Sequence, residues 1–271
     1  MNLIDRPCPH CSSVHTNPIA VYSKELWKIV SCAECEFVYL HNAPDYDTLQ
    51  NNFEWEASSK AERSLRRKDK KLYYFFSDTL KQIKFFFRKG QRKEIMILEN
   101  LKLSGKTIDV GCGDGFTLSQ MPIGFTPFGV EISKPLAKLA NERCSERGGY
   151  VINADAVNGL KQFSQNFADL IIMRSYLEHE INPLEVLRSA EYCLKSNGVI
   201  LIKVPNFASV NRKIKGIKWP GFRFPDHVNY FTPQSLVNMI ESASLSVDRF
   251  NFLDRIPTSD NMWMLVGKPK A

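Results

Sequence analysis

The stretch that decides the fold is Thr107-Ile-Asp-Val-Gly-Cys-Gly-Asp-Gly115. Four residues suited to a buried strand run into a loop with glycine at alternate positions. Glycines there let a backbone approach a ligand closely, and a helix opening behind them offers free N–H groups. A lone G-x-G-x-G says little, but its surroundings say more. About twenty residues on, at the end of the apolar run Phe128–Ile132, stands Glu131. An acid at that place accepts the ribose hydroxyls of an adenosine-containing ligand. Asp155 follows a third run, Tyr150–Asn153, where an acid can take an adenine amino group.

Outward from this loop the pattern repeats. Ala168–Met173 and Val199–Val204 are apolar enough for strands buried on both faces. Helical stretches are predicted between the strands, at Phe116–Pro122, Lys134–Arg147 with Ser133 as cap, Val157–Phe163, and Pro183–Leu194 closed by Asn197-Gly198. Thr232 should cap a helix at Pro233–Ser242, and Ser246–Phe252 with Met262–Val266 should form a closing hairpin. Strands alternating with helices predict an α/β fold with a parallel sheet.

The N-terminal part differs. Cys8-Pro-His-Cys11 and Cys32-Ala-Glu-Cys35 are two C-x2-C pairs separated by twenty residues. Each pair presents two thiolates on a tight turn, and two turns supply the four ligands of a structural zinc site. The runs Ile19–Tyr22, Trp27–Val30 and Phe37–Leu40 would form the hairpin of a zinc ribbon. Cys144 and Cys193 fit core positions on helices, and Cys112 stands alone. Three segments follow: a zinc ribbon at 1–41, a linker and basic aromatic helical bridge at 42–91, and a catalytic domain at 92–271.

Composition narrows the class. The 271 residues are 44% hydrophobic and 24% charged, with a net charge of +7. A chain this long buries roughly three quarters of its unfolded surface and needs no disulfide framework. Its apolar runs are too short to span a bilayer, Met1–Arg6 lacks the layout of a secretory leader, and paired cysteines suit a reducing cytoplasm. Residues 60–93 carry thirteen Lys or Arg and three acids, a local net of +10, which leaves the remainder at −3. A second basic cluster, Arg212, Lys213, Lys215, Lys218 and Arg223, is interleaved with Trp219, Phe222 and Phe224 and reads as a lid over a substrate. Such segments point to an anionic small molecule, nucleic acid or an anionic membrane surface as partner, and the placement favours a phosphorylated small substrate or an anionic surface over a duplex-binding face. Leu65, Leu72, Phe76, Leu80, Ile83 and Phe87 recur at helical spacing within the bridge.

Taken together, Asp109–Gly115, Gly129-Val-Glu-Ile-Ser133, Ala154-Asp-Ala156, Phe167–Met173 with Leu177-Glu-His179, and Leu194–Val199 resemble the class I S-adenosylmethionine-dependent methyltransferases. The resemblance implies a seven-stranded Rossmann-like sheet in the order 3-2-1-4-5-7-6, with helices on both faces. It also implies cofactor contacts at Asp109, Gly111, Cys112, Gly113, Glu131, Ile132, Asp155 and Ala156. Asp226-His-Val-Asn-Tyr-Phe-Thr-Pro-Gln-Ser-Leu236 is similar to a segment of the ubiquinone-biosynthesis-like branch. A zinc ribbon ahead of such a domain resembles sugar methyltransferases of polysaccharide clusters.

Methyl transfer needs a positioned nucleophile and a group to take its proton. His227, flanked by Asp226 and Tyr230, is the preferred base, with Asp226 orienting it and Tyr230 lining the pocket. His179 is the second candidate, or a wall of the cofactor pocket. The expected function is cytoplasmic methyl transfer to a small molecule, a nucleotide-linked sugar or glycan precursor. An RNA methyltransferase gripping its substrate through the ribbon and basic helix is one alternative, and a non-catalytic zinc-ribbon scaffold is another.

Overall fold

In a computed structural model of the chain, residues 3–44, Ile97 and 103–270 are described. The chain divides into two compact units, Met1–Asp45 with Ser104–Ala271, and Tyr46–Leu103. The helical spacing expected within 61–101 falls almost wholly outside the described residues, and the account below concerns the first unit.

Seven strands form the main sheet: β6 (Gly105–Val110), β7 (Phe125–Val130), β8 (Val151–Ile152), β9 (Ala168–Arg174), β10 (Leu194–Pro205), β12 (Ser246–Arg249) and β13 (Asn261–Gly267). Their order is β12-β13-β10-β9-β6-β7-β8, the expected 3-2-1-4-5-7-6 read from the other edge. Pairing is parallel from β8 to β10, and β13 runs antiparallel to both β10 and β12. The central strands are apolar because both their faces are covered: Leu170–Met173 and Ile200–Ile202 are buried.

The crossover helices start where their caps dictate. Ser133 accepts from the Leu136 amide at the head of α2 (Lys134–Ser145), and Asp155 accepts from the Asn158 amide at the head of α3 (Ala156–Leu160). The short α1 (Phe116–Ser119) follows the glycine loop. One boundary is corrected. The helix α4 (Pro183–Cys193) passes directly into β10, so Asn197-Gly198 does not close it. That pair lies within β10, where the register with β9 shifts between Leu194 and Val199. Cys144 and Cys193 are core residues, as expected.

The N-terminal strands are β1 (Leu3–Asp5), β2 (Thr16–Pro18), β3 (Ile29–Cys32), β4 (Val38–Leu40) and β5 (Asn42–Pro44). Ile19–Tyr22, expected as a strand, is instead a 3-10 turn over Ala20–Tyr22, because Tyr22 packs on Phe207 and Phe222. Asn42–Pro44, expected in a linker, pairs with β1. The four-stranded sheet here has the order β11-β4-β3-β2, and its last member is β11 (Asn229–Tyr230). A strand from the C-terminal half thus completes the N-terminal sheet. The boundary expected at residue 41 does not separate two bodies.

Candidate active site

The cofactor half of the site is built at the carboxyl ends of β6, β7 and β8. Gly111 and Gly113 have φ of +67° and +58°, a conformation glycine adopts without strain. A Cβ at Gly111 would lie 2.5 Å from the Tyr176 ring, whereas one at Gly113 would meet nothing within 4 Å. The loop is therefore packed on one side and open on the other. Glu131 is buried, and its two carboxylate oxygens accept from the Gly113 and Ser133 amides, each at 2.8 Å. These bonds fix the acid beside the glycine loop. Asn153 Nδ2 donates to the carbonyls of Glu131 and Ile132, both at 2.9 Å. Asp155 stands at the head of α3, bonded to the amide and side chain of Asn158. Asp109, Cys112 and Ala156 are buried around this edge. An open glycine loop with acids after the second and third strands fits an adenosine-bearing ligand.

The other half gathers Glu178 and His179, after β9, with His227, just before β11. The two imidazoles meet edge to face, with ring centres 4.6 Å apart, and one ligand atom from each of the three residues lies within 4.8 Å of the others. His179 Nδ1 meets the Asp226 carbonyl at 2.8 Å, and His227 Nδ1 meets the Gly221 carbonyl at 2.8 Å. A carbonyl only accepts, so each Nδ1 carries the proton and each Nε2 keeps its lone pair. Burial, with Arg223 and Lys203 nearby, lowers the His179 pKa to about 4. Burial, with His179, Arg223 and Lys203 adding to it, pushes His227 well below the usual range. Burial raises the Glu178 carboxyl to about 7, and among the described residues its Oε2 has no hydrogen-bond partner. The same donors have the composition of a divalent-cation site, but the field of Lys203 and Arg223 opposes a cation there.

Three expectations change. Asp226 does not orient His227 through its carboxylate. The carboxylate pairs with Arg223 at 3.0 Å, while the Asp226 carbonyl holds His179. Tyr230 is buried, and its hydroxyl donates to the His227 carbonyl at 2.8 Å, so it supports the backbone that carries the imidazole. The basic aromatic segment is a packed wall instead of a loose lid. Trp219 and Phe222 are buried, Trp219 Nε1 donates to Asp260, and the Arg212 guanidinium lies over the Tyr22 and Phe207 rings. Lys213 and Lys218 remain exposed.

Some site residues escaped sequence reasoning. Tyr176 lies against Gly111 and donates to Glu180 at 2.5 Å, and no linear spacing announces that contact. Lys203 donates to Ser175 Oγ at 2.7 Å. A lone lysine in the apolar run Val199–Val204 was its signal. Glu178 stands within the Leu-Glu-His segment, where nothing in the linear pattern marks its burial.

The four paired cysteines do converge. All four Sγ atoms lie within 4.8 Å of one another, with Cys8 and Cys35 at 3.5 Å and Cys11 and Cys32 at 3.4 Å. Thiolates at about 2.3 Å from a tetrahedral zinc would be about 3.8 Å apart, so the set fits such an ion. Ser12 and Glu36, each following a C-x2-C pair, have φ near +60°, and their amides return to the Cys8 and Cys32 carbonyls. The two turns are copies of one design.

The sheet order, the glycine loop and the acid after the second strand define a class I S-adenosylmethionine-dependent methyltransferase. A family model described as "Methyltransferase domain" matches residues 71–249, and the chain belongs to this family. It is 25% identical over 174 residues to the "Ubiquinone biosynthesis O-methyltransferase" of Photobacterium profundum, covering 59% of this chain and 71% of that one. A methyltransferase structure from Clostridium acetobutylicum matches with a TM-score of 0.51 at 11% identity, covering 72% of this chain and 99% of that one. A putative methyltransferase from Bacillus halodurans has a TM-score of 0.51 at 14% identity, with 66% and 100% covered. At such identities these structures speak for the fold alone. Among the described residues, no helix is long and apolar enough to cross a membrane.

Proposed function

We propose that the protein methylates an oxygen of a small anionic molecule, such as a nucleotide-linked sugar or another glycan precursor, in the cytoplasm. S-adenosylmethionine, when bound, supplies an electrophilic methyl group. The chain's own residues orient the acceptor and take its proton. The observation that carries the reading is the pair of imidazoles with Nδ1 tied to carbonyls, which makes Nε2 the basic nitrogen of each. Of the two, His179 is the better base, because it is partly exposed whereas His227 is buried behind it. This reverses the preference drawn from sequence.

An anionic acceptor suits this environment. Arg223 and Lys203 lower the proton affinity of both imidazoles. A phosphate or carboxylate nearby would offset those charges and bring His179 closer to the working pH. The oxygen acceptor is favoured by the likeness to ubiquinone-biosynthesis O-methyltransferases. We further propose that Cys8, Cys11, Cys32 and Cys35 hold a structural zinc ion.

The test uses methyl-labelled S-adenosylmethionine and the small-molecule fraction of a cell extract. A labelled anionic product, with transfer reduced about 10²–10⁴-fold in His179→Gln, is expected. Label found in RNA would favour the alternative substrate.

A further inference from the structure

Arg6 lies in the N-terminal segment, two residues before the first cysteine, yet its guanidinium is buried among the loops that carry the histidines. It is 4% exposed. Nη2 donates to the Ile181 carbonyl at 2.7 Å and to Asn229 Oδ1 at 3.2 Å, and Nη1 donates to the carbonyls of Val228 at 3.2 Å and Leu40 at 3.4 Å. One planar fork therefore joins three pieces of chain: strand β4, the segment after β9, and the segment after His227.

Asn229 carries the connection inward. Its Nδ2 donates to the Leu177 and Glu180 carbonyls at 2.8 and 2.6 Å. The amides of Val228 and Asn229 both return to the Glu178 carbonyl, at 2.8 and 3.1 Å. Leu177–Ile181, which contains Glu178 and His179, is thus laced to His227–Asn229, and Arg6 closes the lacing from outside. On the far side, β11 pairs with β4, and the Leu40 amide donates to the Val228 carbonyl at 2.9 Å.

A buried guanidinium is costly, and an apolar side chain would fill the same space more cheaply. The bonds it makes go to neutral oxygens, with the charge of Glu180 nearby. Several carbonyls converging from separate segments suit a rigid planar fork and do not suit the single point charge of lysine.

We propose that Arg6 is a positioning residue for the His179–His227 pair, acting through Asn229, so that the N-terminal ribbon is a working part of the acceptor side of the site. The proposal rests on reading these histidines as acceptor-side groups, but its test does not depend on turnover.

The experiment uses full-length protein labelled with nitrogen-15 in histidine, with the two signals assigned through His179→Gln and His227→Gln. In the wild type, long-range proton–nitrogen spectra should show both imidazoles as single Nδ1–H tautomers. In Arg6→Lys and Arg6→Met, both sets of signals should move and lose the single-tautomer pattern. Affinity for S-adenosylhomocysteine, measured by calorimetry, should stay within about twofold of the wild type, since the hydrogen bonds of the Arg6 guanidinium go to Leu40, Ile181, Val228 and Asn229 and not to the glycine loop. Asn229→Ala should reproduce the change, and it serves if Arg6→Met does not fold. Unchanged imidazole signals in folded Arg6→Lys or Asn229→Ala would overturn the proposal. So would full rescue by lysine, or cofactor affinity falling together with the histidine signals, which would mean general loosening. Failure of the functional reading would appear elsewhere, as an absence of label transfer with the imidazole results intact.

Discussion

Glu131 is the residue on which cofactor binding turns. Both its oxygens accept backbone amides, one of them from the glycine loop, so the charge is held where a ribose is expected. Glu131→Gln keeps the shape but loses charge-assisted bonding, typically worth about 1.5–3 kcal/mol. S-adenosylmethionine should bind about 10–100-fold more weakly by calorimetry. The two histidines make a prediction in pH. The His179 pKa is about 4 in the folded protein against 6.5 in the open chain. Below pH 6.5 the unfolded chain takes a proton that the folded imidazole refuses. Its stabilising contribution is therefore complete above pH 6.5 and declines as the pH falls towards 4. Glu178 acts oppositely, since its folded pKa is raised to about 7 from 4.5, and its contribution declines as the pH rises between those values. In urea denaturation, the wild type should lose about 2 kcal/mol relative to His179→Gln between pH 7 and pH 5. A difference that stays constant with pH would mean that the imidazole is not held neutral.

Elements were legible where a local signal and the tertiary contacts agreed. Thr232-Pro233 announces a helix start, and the helix α5 (Pro233–Ser242) begins there, with Thr232 and Ser235 in a reciprocal capping box. Thr232→Ala should cost about 1 kcal/mol, read as a lower denaturation midpoint without a change in slope. Elements were misread where distant contacts decided. Ala20–Tyr22 has the β-branched and aromatic character of a strand, but Tyr22 is stacked on Phe222, 5.0 Å between ring centres. Asn197-Gly198 looks like a helix terminator, yet a strand runs through it. The same reasoning divides the site. The glycine loop, Glu131 and Asp155 follow strands in simple succession and could be read off the chain. The contacts of Tyr176, Lys203 and Arg6 arise only once β9, β10 and the N-terminal sheet come together. At this scale the cysteine turns also make a prediction. Zinc should be found by elemental analysis in the purified wild type, and Cys32→Ser should lose it and melt at a lower temperature. Equal melting of the two proteins would argue that the turns need no ion.

Within the first unit, a sheet presents cofactor ligands at the carboxyl ends of its strands, and β11, which starts two residues after His227, stands outside that sheet and completes the N-terminal one. The net charge of +7 meant little as a sum. Within the described residues, Arg212, Lys215 and Arg223 have structural partners, and the cations whose fields act on the histidines are Lys203 and Arg223. That arrangement supports the small anionic acceptor proposed above. The account stands or falls on methyl transfer itself. Purified protein, incubated with methyl-labelled S-adenosylmethionine and cell extract, should place label in a small, anionic, ribonuclease-resistant product, and Glu131→Gln and His179→Gln should each suppress it. Label recovered in RNA, or no label in any fraction from a protein that binds the cofactor, would contradict it.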